Sequence, residues 1–273
     1  MSAHVIERPA ARLPIPAAPQ PAFAPRTLPV RAPLSMPAPD ARPVAARGDG
    51  WFAELAEPLR EAITACARVK VCAAGSVLAV RGDAAAAWIG VDTGALRLGT
   101  TMRDGRDFIL GFVSPGQWFG DIALVDERPL EFDITAHVDS RLLFVSKPDL
   151  QRLLAEHDNL GAELLRLNCQ RLRHLFRRFE ELQTLPLGER VARQLRRLAR
   201  QFARQTPDGR ALIDLAISQA ELSAMVGGSR QRVNRVMRQM HVMQILRLGG
   251  PRIVVSDARL LDAAADGAIA FEP

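Results

Sequence analysis

Between Val69 and Val145 the chain has no room for a long helix. Its apolar residues come in short runs: Val77-Leu78-Ala79-Val80, Ala87-Trp88-Ile89-Gly90-Val91, Ala95-Leu96-Arg97-Leu98, Phe108-Ile109-Leu110-Gly111-Phe112-Val113 and Arg141-Leu142-Leu143-Phe144-Val145. Gly75, Gly82-Asp83, Gly94, Asp104-Gly105 and Pro115-Gly116 fall between them. Glycine reaches positive φ without steric cost, so these are turn positions. Strands at this spacing predict an all-β roll or barrel. Ahead of it, Trp51, Leu55, Leu59 and Ile63 recur every four residues and predict one short amphipathic helix. Cys66 falls in that helix and Cys72 at a strand start.

After Pro148 the period changes. Leu165, Asn168, Leu172, Leu175, Phe179 and Leu182 step by 3, 4, 3, 4 and 3, an a/d heptad seam that is apolar except at Asn168. Arg166, Arg171, Arg173, Arg177 and Arg178 lie off it. Two readings stand open: the helix pairs with a second copy, with Asn168 fixing register, or it packs on its own domain. Thr184-Leu185-Pro186 breaks the helix as a hinge. Leu187, Val191, Leu195, Leu198 and Phe202 predict a further helix, which stops at the turn signal Thr206-Pro207-Asp208-Gly209.

Ser218 and Glu221 form an S-x-x-E capping box, so a helix starts near Gln219 and ends at Gly227-Gly228. Ser229 caps a second helix, from Arg230 to about Met240. Two short helices across a tight glycine turn make a helix-turn-helix. Val233, Val236, Met237 and Met240 face a core. Arg230, Gln231, Arg232, Asn234, Arg235 and Arg238 face outward and are side chains that read base edges. Ile245-Leu246-Arg247-Leu248, Gly249-Gly250-Pro251 and Arg252-Ile253-Val254-Val255 then read as a wing hairpin, with Arg247 and Arg252 for phosphates. Ser218, Gln219 and Ser229 complete the candidate DNA-contact set.

Charge placement agrees. Residues 160–256 carry 18 basic against 7 acidic side chains, whereas residues 51–159 carry 11 basic against 16 acidic. A basic segment of this kind suits a polyanion, because each phosphate contact releases counterions; solvated arginine faces are the plainer account. Residues 1–50 hold eleven prolines and read as a disordered tail. Three cysteines (Cys66, Cys72, Cys169) make no disulfide framework and suit a reducing cytoplasm. His137 and His174 stand alone, and no metal site is expected. No uncharged apolar stretch is long enough for a membrane span. Paired carboxylates, a nucleophile elbow and a Walker loop are missing, so an enzyme is not expected. A ligand-sensing adaptor that uses its basic helices on a protein partner remains the alternative, and salt dependence would separate it from a DNA binder.

Over residues 52–262 the sequence resembles the Crp/Fnr regulators. Ser218-Gln219-Ala220-Glu221-Leu222 and Gly228-Ser229-Arg230-Gln231-Arg232-Val233-Asn234-Arg235 look like that family's helix-turn-helix. Ser114-Pro115-Gly116-Gln117-Trp118-Phe119-Gly120-Asp121-Ile122-Ala123-Leu124 is similar to its phosphate-binding cassette. The resemblance implies an α+β chain: a tail (1–50), a cyclic-nucleotide-binding-like jelly roll (51–158), a dimerisation helix (159–184), a winged helix-turn-helix (185–262) and a C-terminal tail (263–273). It implies a homodimer on palindromic double-stranded DNA, and RNA polymerase as a partner if the protein is an activator. It also implies that Arg230 reads guanine and Arg235 a second base, with Gln231 where a cytosine-reading Glu often stands. The effector pocket would comprise Gly120, Asp121, Ile122, Ala123, Arg128, Leu130 and Glu131. Leu130-Glu131 occupy the place of the Arg-Ser or Arg-Thr pair of cyclic-AMP binders, and Asp121 that of the ribose-binding Glu. A Glu there repels a cyclic phosphate, so cyclic AMP is not expected to bind. Another small effector, or a roll serving only as scaffold, remains open. The iron–sulfur pattern of some relatives needs four thiolates and is not met.

Overall fold

The computed structural model describes residues 50–207, 210–249 and 252–272. The proline-rich tail expected over residues 1–50 lies outside them except for Gly50, and so do 208–209 and 250–251 of two expected turns.

Two short helices, α1 (Trp51–Glu54) and α2 (Glu57–Cys66), open the described chain. The single expected helix is therefore split. Leu55 is extended, and Pro58 sits in the first turn of α2. Within one continuous helix, Pro58 would lack a hydrogen bond to Glu54 and clash with its carbonyl. Eight strands follow: β1 (Arg68–Cys72), β2 (Val77–Ala79), β3 (Ala87–Thr93), β4 (Leu96–Thr101), β5 (Asp107–Val113), β6 (Trp118–Phe119), β7 (Asp133–Ala136) and β8 (Ser140–Ser146). A short helix, α3 (Asp121–Val125), interrupts them after β6. Cys72 closes β1 rather than starting a strand. Alternating Arg68 and Lys70 on this exposed edge conceal the strand in the sequence.

The strands form two four-stranded antiparallel sheets, ordered β1-β8-β3-β6 and β2-β7-β4-β5. Ile89, Val91, Leu96, Leu98, Val113, Leu130, Ile134 and Leu142 fill the space inside the roll. Gly94 shows why the turns need glycine. Its φ is +89°, and a Cβ there would lie 2.6 Å from the Asp139 carbonyl oxygen. A second cluster packs α1 and α2 with Trp88, Trp118 and Val145 against α4 (Lys147–Glu156) and the start of α5 (Asp158–Thr184).

Thr184 ends α5, and Pro186 caps α6 (Leu187–Phe202), as the hinge reading requires. Strands β9 (Ala203–Gln205) and β10 (Ala211–Ile213), helices α7 (Gln219–Val226) and α8 (Arg230–Val242), the hairpin β11 (Leu246–Gly249) with β12 (Arg252–Val255), and α9 (Ala258–Ala265) complete the chain. Their sheet runs β11-β12-β10-β9. The segment expected as a tail from residue 263 packs back instead. Phe271 lies against Gly188, where any Cβ would meet its ring at 2.2 Å.

Candidate nucleic-acid interface

Helix α7 begins as its capping box dictates. The Glu221 N–H donates to Ser218 Oγ (3.1 Å), and the Ser218 N–H donates to Glu221 Oε2 (2.9 Å). Two orphan N–H groups of the first turn are thereby satisfied. Gly227 ends the helix in the left-handed region at φ 65°. Arg190 of α6 donates to the Val226 carbonyl at 2.8 Å, answering one of the orphan carbonyls at that end. Ser229 then caps α8, accepting the Arg232 N–H at 3.4 Å.

Val233, Val236, Met237 and Met240 bury the back of α8. Arg230, Gln231, Arg232, Arg235 and Arg238 are exposed on its outer face. Gln219, Arg230, Gln231, Asn234, Arg235 and Arg238 line an open hollow of about 410 Å³. Asn234 departs from the expected set of plain base readers. Its Nδ2 donates to Gln219 Oε1 at 2.6 Å and ties the two helices of the motif together. Of the wing arginines, Arg247 is exposed, whereas Arg252 pairs with Asp214 at 3.1 Å. Arg204 shares that carboxylate at 2.7 Å.

The seam of α5 divides the helix. Leu160, Leu164 and Leu167 bury it on its own chain. Leu165, Leu172, Leu175, Phe179 and Leu182 are 44–67% exposed, and Phe176, off the expected seam, is 62% exposed. Asn168 does not face outward with them. Its Nδ2 donates to Asp121 Oδ2 (2.8 Å) and to the Leu164 carbonyl (2.9 Å).

Across the hinge, Glu181 of α5 holds Arg193 (3.2 Å) and Arg197 of α6. Burial alone would lift the Glu181 carboxyl; the hydrogen bonds and charges of Arg197 and then Arg193 outweigh it, so it sits below the ordinary carboxylate range. Periodicity could not reveal this clamp, because Pro186 separates its partners.

The expected effector residues do not converge. Leu130 is buried among the apolar residues inside the roll, while Glu131, Arg128 and Ile122 are exposed. Asp121, 1% exposed, receives Arg171 Nη1 on both oxygens at 2.8 and 3.0 Å. Gly120 precedes it at φ 100° and Ala123 lies beside the roll interior. Cys66 is half-buried on α2 and Cys72 is buried at the end of β1. Burial raises the Cys66 and Cys72 thiols, which keeps thiolate scarce; Cys169 is exposed on α5. His137 contacts the Ala216 carbonyl at 2.7 Å and Glu221 at 3.6 Å. Among the described residues no cluster could hold a metal, and no helix is long and apolar enough to cross a membrane.

Comparison with known proteins agrees with this geometry. The chain matches the family model of the cyclic nucleotide-binding domain over residues 69–157 and that of the Crp-like helix-turn-helix domain over residues 189–264. It is 30% identical over 193 residues to the cyclic AMP receptor protein of Thermus thermophilus, covering 71% of this chain and 86% of that protein. It is 28% identical over 170 residues to a CRP-like cAMP-activated global transcriptional regulator of Mycobacterium tuberculosis, covering 62% of this chain and 75% of the relative. Among solved structures, TTHA1359, a CRP/FNR-family transcriptional regulator of Thermus thermophilus, aligns with a TM-score of 0.58 at 27% identity, over 73% of this chain and 98% of the other.

Proposed function

The chain belongs to the Crp/Fnr family of DNA-binding transcription regulators, and from that premise we propose that it acts as a homodimer on a two-fold symmetric site without cyclic AMP. The exposed face of α8, with Arg230, Gln231, Arg232, Arg235 and Arg238 over an apolar back, carries the DNA reading. Arginine donors in such a helix pair with guanine edges in the major groove. The two copies of α8 enter grooves about one helical turn apart, because the half-sites mirror the protein's two-fold axis.

The outward stripe of α5 supports pairing through that helix. Leu165, Leu172, Leu175, Phe179 and Leu182 present apolar area that water disfavours and that a second copy would cover. Two features of the roll support cyclic-AMP independence. Leu130 adds to the apolar interior where a cyclic-AMP binder would need a phosphate-binding arginine, and Asp121 is already paired. If the protein activates, RNA polymerase is its further partner.

Selection of random duplex DNA by the purified protein, at fixed moderate salt with and without cyclic AMP, tests all three parts. The same two-fold symmetric motif is expected in both arms. Enrichment only with cyclic AMP would reverse the pocket reading, and an asymmetric half-site would remove the dimer.

A further inference from the structure

We propose that Asn234 reads an adenine, and that Gln219 of the preceding helix positions it for that task. The inference rests on the reading of α8 as the base-reading helix. It starts in the middle of the open hollow on the outer face of that helix. Arg230 and Arg238 lie one helical turn before and after Asn234, and all three line the hollow with Gln219, Gln231 and Arg235. Arginine only donates, so the three amides are the side chains of this set that can accept from a base. The arginines are exposed, whereas Asn234 and Gln219, the first residue of α7, are half-buried.

Asn234 Nδ2 donates to Gln219 Oε1 at 2.6 Å. That bond spends one of the two Nδ2 hydrogens. The second hydrogen and the carbonyl oxygen Oδ1 remain, a donor and an acceptor side by side on one amide. In the major groove adenine offers the N7 acceptor beside the N6 amino donor. Guanine offers two acceptors, cytosine an amino donor, and thymine an acceptor with a methyl group. Of the four bases, only adenine matches both ends of the amide. Gln219 supplies what a lone asparagine lacks. A free amide can turn over and exchange its oxygen with its nitrogen. Held by Gln219, the Asn234 amide keeps its bond only if both amides turn together. The reading end is therefore restrained before DNA arrives, and less side-chain freedom is lost on binding. Asn234 touches the base, and Gln219 acts through it as a positioning residue.

The test uses the full-length chain. Selection of random duplex DNA gives the site, and binding is then measured with each half-site base pair changed in turn. Wild type should select adenine at one symmetric pair of positions and bind severalfold more weakly when 7-deazaadenine, which lacks the N7 acceptor, stands there. Asn234→Ala should lose about tenfold of that preference, become indifferent to 7-deazaadenine, and keep the preferences at all other positions. Gln219→Met removes the acceptor that holds Asn234 and should lose the same preference. The double variant should lose no more than Asn234→Ala alone, because the two residues act as one unit. Gln219→Glu keeps an acceptor, so it should retain the adenine preference while its added negative charge weakens binding to every duplex alike. An adenine preference unchanged in Asn234→Ala, or one lost there but intact in Gln219→Met, would overturn the proposal. So would variants that weaken all duplexes equally, because the tie would then only hold the two helices together. A wild type that selects no motif defeats the functional reading and this proposal with it. A motif indifferent to Asn234 defeats this proposal alone.

Discussion

Gln231 stands where the resemblance to the Crp/Fnr regulators implies a cytosine-reading Glu, and the difference should be readable in DNA. A glutamate at that position accepts only, and so selects the cytosine amino group. A glutamine both donates and accepts. The side chain is exposed on α8 beside Arg230 and Arg235 in the same hollow. Gln231→Glu should move the selected base at one symmetric pair of positions by about 1–3 kcal/mol and leave the others alone. An unchanged selected site would show that Gln231 does not read a base. The reading face of α8 was legible because everything that defines it is local: a cap, a glycine turn and a 3.6-residue period within some twenty residues. The tie that Asn234 makes was hidden for the opposite reason. Its partner Gln219 lies on the preceding helix, across a turn whose geometry the sequence only implies. Gly94 is a second residue whose identity the backbone dictates. Gly94→Ala should cost about 2 kcal/mol or more in denaturant unfolding, since a left-handed φ is strained for alanine and its Cβ would press on Asp139 and Ser140.

At the scale of elements, the long helix bears on both dimerisation and the hinge. Leu172 and Phe179 are 49% and 66% exposed, so changing them removes little intrachain packing. Leu172→Glu with Phe179→Arg should give a monomer in sedimentation velocity, with the far-ultraviolet circular dichroism retained and affinity for a palindromic duplex strongly reduced. A variant that stays dimeric would place the interface elsewhere. The heptad was plain in the sequence, but Asn168 was not. It occupies a seam position and is drawn onto the cassette by Asp121, 47 residues earlier. Glu181 governs the junction with α6. Its carboxyl titrates below the ordinary range in the folded chain, so in acid the unfolded chain binds the proton first. The contribution of this clamp is therefore complete above the ordinary glutamate pKa and is lost as pH falls through the depressed folded value. Glu181→Gln should lower stability at neutral pH and flatten the acid limb of a stability-versus-pH curve. An acid limb identical to wild type would show that Glu181 is not what titrates there.

For the whole molecule, three parts are legible in their order along the chain, but not their contact. Roll, long helix and winged domain each announce themselves by a period or a motif, whereas surfaces that meet after a chain reversal leave no periodic trace. Ala95, Ile109 and Phe112 of the roll belong to the same apolar cluster as Leu222, Met225 and Ile217 of the winged domain. The Phe112 ring lies 4.7 Å from His137 and 6.4 Å, edge-on, from Phe202. His137 in turn meets the Ala216 carbonyl and the Glu221 carboxylate, which also closes the capping box of α7. The roll thus touches the helix-turn-helix directly, besides through α5 and the hinge. Apolar contact of this kind makes two domains unfold together, whereas small polar contacts leave them independent. Wild type should therefore melt in a single calorimetric transition. Phe112→Ala removes a ring that is 6% exposed and should cost about 3 kcal/mol or more. Because that ring bridges the two parts, the loss should resolve the single transition into two, one for the roll and one for the winged domain. Hydrogen exchange should then quicken in α7 more than in β3 or β8, which lie away from the contact. If Phe112→Ala merely lowers one undivided transition, the coupling resides in α5 and the Glu181 clamp, and the docked face is packing without consequence for cooperativity.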